Sequence, residues 1–153
     1  MIKIKYKTYF DVMHIEKNVC ENVIGTLLNI EGKTKDTYKA RLDLHDMNIR
    51  ELHLVPHGNK YLKPYACYSL TSMERREFCA FLKSIKFLDG YATNISKHVN
   101  IEYGKISSLK SHDCHALLQQ LLAIGIRKFL RKDISTTLIE LSFFFSNSYV
   151  QNH

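Results

Sequence analysis

Apolar and polar positions change rhythm along the chain, and each rhythm predicts an element. From Ile2 to Phe10 apolar and cationic residues alternate, with Lys3, Lys5 and Lys7 on every second position. A period of two predicts a strand with one buried face, and the three lysines would blunt its edge. From Ile15 the period lengthens. Ile15, Val19, Val23, Leu27 and Ile30 recur three or four apart, widened by Cys20, Ile24 and Leu28, which predicts a helix ending between Asn29 and Gly32. Gly32 is the residue suited to the left-handed C-terminal position.

Asp36 is placed to cap a second helix running to about Asn48. Tyr38, Leu42 and Met47 would be its apolar anchors, with Lys39, Arg41, Asp43 and Asp46 in solvent. Pro56, Gly58 and Pro64 then break the periodicity, so the segment from Leu52 to Leu70 reads as an ordered connector with short extended pieces. Thr71 followed by Glu74 forms a capping box for a third helix with Phe78, Phe81, Leu82 and Ile85 on one face, stopped by Leu88-Asp89-Gly90. Between Tyr91 and Leu109, Gly104 and several Ser and Asn residues predict a helical turn and a loop. The domain boundary is placed here, giving segments 1–90 and 91–153. Ser111 or Asp113 then caps a helix through Leu117, Leu118, Leu121 and Leu122, and Asp133 opens a last one with Ile134, Leu138 and Leu141. Phe143-Phe144-Phe145 forms an apolar cluster that needs cover. The fold class is therefore mainly α, a helical unit with one N-terminal β-strand.

Composition narrows the function classes. Lys and Arg exceed Asp and Glu by 22 to 15, a net charge of +7 that favours a polyanionic partner. Arg127, Lys128, Arg131 and Lys132 are the densest cluster and the candidate nucleic-acid-binding residues, against the plainer reading of a solvated basic surface. Cys20, Cys67, Cys79 and Cys114 show no CxxC pairing and read as reduced thiols. No apolar run reaches the length of a membrane span, and the first residues lack a secretory h-region, so a nuclear or cytoplasmic location is expected and secretion is not.

Catalytic motifs are sparse. Ser111-His112-Asp113-Cys114-His115 collects metal-ligand types, but on a helix only His112 and His115 share a face, so capping and surface histidines are the default and no metal site is expected. Asp11 and His14 set a carboxylate and an imidazole three positions apart where the strand pattern gives way to the helix. Read alone, Asp11 is a helix cap. Gly-rich phosphate loops and nucleophile elbows are missing, and no small-molecule substrate is expected.

The run from Asp11-Val12-Met13-His14 through Leu28 resembles plant CACTA-type (En/Spm) DNA transposases. The likeness continues through GKTKDTYKARLDLHDMNIR, YLKPYACYSLTSMERREFCAFLKSIKF, LKSHDCHALLQQLL and IRKFLRKDISTTLIEL, covering about residues 10 to 141. The resemblance implies that segment 1–90 ends a ribonuclease H-like α/β transposase domain and that 91–153 starts a following domain of unknown function. It implies DNA as partner and, in the intact family, acidic residues holding divalent metal such as Mg for phosphoryl transfer. The family's D-x-M-H signature falls on Asp11 and His14, as remnants of a catalytic site whose other acidic members this chain lacks. Departures include both termini, Leu88 and Ala123 where the family has proline, and a missing lysine between Arg50 and Glu51. The expected product is a truncated transposase derivative without transposition activity and without a cofactor of its own.

Overall fold

The computed structural model describes residues 2–49, 52–86 and 94–150, with side chains described between 12 and 148. It is mainly helical. In chain order the elements are α1 (Ile2–Leu27), α2 (Tyr38–Asp46), β1 (Val55–His57), β2 (Lys60–Leu62), α3 (Ser72–Ser84), a 3-10 turn (Ile95–His98), β3 (Val99–Asn100), β4 (Lys105–Ile106), α4 (Ser111–Ala116), a π-helical turn (Leu117–Leu121), α5 (Leu122–Ile126) and α6 (Lys132–Val150). Two antiparallel two-stranded hairpins, β1 with β2 and β3 with β4, are the only sheets among the described residues.

The predicted N-terminal strand is corrected: residues from Ile2 onward belong to α1, which runs for 26 residues. Neither Gly nor Pro occurs before Gly25, so nothing interrupts a helix once its packed part has formed. An alternating pattern makes a strand only when a neighbouring strand accepts its hydrogen bonds, and both strand pairs here lie elsewhere. The same continuity removes Asp11 from any capping role.

α1 stops in a Schellman motif. Asn29 takes φ 47°, the Ile30 N–H donates to the Gly25 carbonyl at 2.9 Å and the Asn29 N–H to the Thr26 carbonyl at 3.2 Å. Asparagine, not the predicted Gly32, therefore fills the left-handed position, and Gly32 at φ 77° turns the chain further on. α2 ends the same way on Asn48. Its start differs from expectation: Thr37 is the N-cap, accepting from the Ala40 N–H. Lys39, Asp43 and Asp46 are exposed and Leu42 is half-buried as expected, but three positions depart. Arg41 is buried while Tyr38 and Met47 are exposed, because Asp36 captures the guanidinium instead of capping the helix.

The predicted capping box of α3 is present, with Thr71 accepting from the Glu74 N–H and Glu74 accepting from the Thr71 N–H. Phe78, Cys79 and Leu82 form its buried face. The helix ends at Ser84, and the predicted stop at Leu88 to Gly90 lies outside the described residues. The connector from Leu52 to Leu70 contains the β1–β2 hairpin, whose turn uses Gly58 at φ 59°.

One core joins the two sequence segments. Cys20, Ile24, Leu27 and Leu28 of α1 and Phe78 and Leu82 of α3 pack in the same cluster as Cys114, Leu117, Leu118, Leu122, Ile126, Leu138 and Phe145. Segments 1–90 and 91–153 thus bury their apolar faces against each other. Gly125 permits the α3–α5 approach, since a Cβ there would lie 2.5 Å from Phe81 Cε1. The phenylalanine cluster is covered in part: Phe145 is buried, whereas Phe143 and Phe144 are exposed.

Candidate functional site

α5 ends at Ile126, whose carbonyl accepts from both the Phe129 and Leu130 N–H groups. The resulting corner into α6 presents Arg127, Lys128, Arg131 and Lys132 on the surface. All four are exposed, and two of them meet anions. Lys128 Nζ lies 2.8 Å from Glu77 Oε2, a residue of α3, and stands 5.4 Å from the Phe129 ring centroid. Arg131 forms a fork on Asp133, with Nη2 to Oδ2 at 2.6 Å and Nε to Oδ1 at 3.1 Å. Two of the corner's four cations are therefore already matched by carboxylates, which lowers the local potential available to a phosphate backbone.

Asp11 and His14 sit within α1, away from that corner in the sequence order of elements. His14 is exposed, and the side chain of Asp11 lies outside the described set. Among the described residues no group of three or more His, Cys, Asp or Glu side chains is placed to hold a metal ion. His112 to His115 do not converge. Lys110, rather than the expected Ser111 or Asp113, holds the N-cap position of α4, and Asp113 in the first turn reaches back to accept from the Lys110 N–H at 3.0 Å and from the Asn94 N–H at 3.2 Å, tying the 3-10 turn to α4.

His115 does something the sequence did not reveal. Its Nδ1 lies 3.1 Å from Oε2 of Glu16, a carboxylate 1% exposed in the α1 face, and Gln119 Nε2 donates to Glu16 Oε1 at 2.8 Å. Gln119 Nε2 also lies 3.0 Å from His115 Nδ1, so carboxylate, imidazole and amide close a three-membered polar cluster. Gln119 stands in the π-helical turn, where the Leu122 N–H reaches back to the Leu117 carbonyl. Ser142 Oγ donates to the Gln119 carbonyl at 2.8 Å and Ser146 Oγ to its side-chain oxygen at 3.3 Å. The cluster thus stitches α1, the π-helical turn and α6 into one polar seam. The residues lie 99 positions apart, so no local spacing could have announced the pair.

Beside the seam, Cys20 and Cys114 are fully buried and in hydrogen-bond contact. The bond to Cys114, together with burial and the nearby Glu16 and Glu21 charges, pushes the Cys20 thiol far up, so it stays protonated as the donor. Both thiols pack as small apolar groups.

No protein-family model, no curated protein and no solved structure matches the chain. Among the described residues, no helix is long and apolar enough to cross a membrane.

Proposed function

We propose that the chain is a derivative of a plant CACTA-type transposase that contacts DNA without cutting it. The observation that carries this reading is the resemblance over about residues 10 to 141, which runs through the D-x-M-H signature at Asp11 and His14. Support from charge comes from the excess of +7 and the basic corner at residues 127–132. Arg127 and Lys132 are the corner's principal phosphate contacts on this reading, since Lys128 and Arg131 must first leave Glu77 and Asp133. The test is a pair of assays on the full chain. Magnesium-dependent nicking of supercoiled plasmid is expected to be absent, and nicking abolished by Asp11→Ala would overturn the non-cutting half of the proposal. Duplex DNA binding is expected to weaken steeply with salt, with Arg127→Ala/Lys132→Ala reducing the slope. No duplex binding at low salt would overturn the other half.

A second reading, a small basic helical module retained for interaction, is favoured by one observation: the two segments share a single core. Such a module keeps its nucleic-acid or protein contacts whether or not its ancestor was a transposase. A partner that binds without salt dependence would select the protein-interaction form of this reading.

A further inference from the structure

A groove of about 610 Å3 lies along the β3–β4 hairpin, remote in sequence from the basic corner, and none of its lining residues is a carboxylate. Lys97 and Lys105 line it, with Asn100, Tyr103 and Ser107, over an apolar floor that includes Ile30. Unlike Lys128, neither Lys97 nor Lys105 forms an ion pair among the described residues. Tyr103 at the hairpin turn is 65% exposed.

The hairpin is a mounted platform. Arg76 Nε donates to the Glu102 carbonyl at 3.1 Å and Lys83 Nζ to the Val99 carbonyl at 3.3 Å, both from α3. Ser107 N–H and Oγ both reach the His98 carbonyl, at 2.8 and 3.2 Å. Asn100 Oδ1 accepts from the Tyr103 N–H at 3.1 Å, fixing the turn that carries the ring. Gly104, at φ 57°, lets the turn seat on α3, because a Cβ there would lie 2.8 Å from Arg75 Cβ. Lys97 in the 3-10 turn, Lys105 on the hairpin and the exposed Tyr103 ring line one groove, and they offer the two kinds of contact a single strand uses, cation to phosphate and ring to base.

We infer that the β3–β4 groove binds single-stranded nucleic acid, with Lys97 and Lys105 on its phosphates and a base stacked on Tyr103. The partner class rests on the nucleic-acid reading above, but both the surface and the strandedness differ. A stacked base needs an unpaired strand, which the plain electrostatics of the 127–132 corner does not.

Fluorescence anisotropy of the full chain with labelled 12-nucleotide single strands, one DNA and one RNA, tests this, with a duplex of the same sequence alongside. Lys97→Ala/Lys105→Ala is expected to weaken single-strand binding about tenfold at low salt and to reduce the slope of log affinity against log salt by about 1.4, two phosphate contacts on a single strand. Tyr103→Ala is expected to lose about 5- to 100-fold with the salt slope kept, and Tyr103→Phe to restore the affinity. All three residues are surface groups, and an unchanged melting temperature verifies that each variant is folded. If single strands bind but the loss follows Arg127→Ala/Lys132→Ala and not the hairpin variants, the groove inference fails while the nucleic-acid reading stands. If duplex binds and single strands do not, the groove inference fails alone. If neither binds at low salt, both fail. Equal loss for DNA and RNA places recognition on phosphate and base, and preference for RNA adds a 2′-hydroxyl contact, each supporting the groove.

Discussion

Asp36 meets Arg41 five residues away, whereas Glu16 meets His115 across 99 residues. Both carboxylates are buried, and each is satisfied, but by different means. Asp36 is gripped by a fork from Arg41, with Nε at 2.5 Å and Nη2 at 2.9 Å, and by Lys63, whose Nζ is 3.5 Å from Oδ2 and donates to the Asp36 carbonyl. Arg41 also donates to the Pro64 carbonyl, so the charge cluster clamps α2 to the connector before α3. Glu16 is met by an imidazole and an amide that belong to the other sequence segment. The first cluster closes a local loop, and the second joins the two halves of the chain. The first set of contacts is complete within one segment, while the seam exists only when both segments are packed.

The largest expected effect comes from Arg41→Ala. It strands Asp36, 6% exposed, without its main partner, and breaking a buried pair from one side costs about 3–5 kcal/mol. Urea midpoints measure it. An effect under about 1 kcal/mol would mean that Asp36 is solvated in the folded chain. Glu16→Ala should cost less, about 1–3 kcal/mol, because His115 and Gln119 keep partial access to water. Its distinguishing mark is a double-mutant cycle in the full chain, in which Glu16→Ala couples to Gln119→Ala and Arg41→Ala does not.

Acid sharpens the contrast. Burial raises the Asp36 carboxyl, but the hydrogen bonds and charge of Arg41, joined by Lys63, outweigh it and hold the group below its usual range. A carboxyl depressed in the folded state stabilises above its unfolded value of about 3.9 and loses that contribution as pH falls through the folded value. Stability should therefore drop below about pH 4 in the wild type, and Asp36→Asn should flatten that limb. The smallest change is expected from Lys63→Ala. Lys63 is 29% exposed at its side chain, so solvent screens its charge and the loss should stay under about 1 kcal/mol by thermal melt.

The elements that depend on neighbours in sequence were legible. The capping box at Thr71 and Glu74 and the apolar stripe of α1 from Val19 onward follow from spacings of a few residues, although Ile15, expected at the head of that stripe, is exposed. The lysine alternation before Phe10 misled because a strand's fate is decided by a partner elsewhere, and here the helix behind it simply continues. Arg41 was assigned to solvent because its pattern is polar, and only Asp36 in space shows why it is inside. The basic corner was legible as charge but not as neutralised charge, since Glu77 approaches from another helix. Lys97, Lys105 and Tyr103 carry too weak a pattern to stand out until the hairpin sets them around one groove.

The claim that the two segments form one cooperative body is tested most directly by urea unfolding of the full chain, followed by far-ultraviolet circular dichroism and by pulsed thiol labelling at each cysteine. Cys67 is exposed and should label at once. Cys20 and Cys79 from the first segment and Cys114 from the second, all buried, should become reactive at one midpoint that coincides with helix loss. Separate midpoints for Cys79 and Cys114, or a gradual loss of helix with early labelling of Cys114, would contradict a shared core.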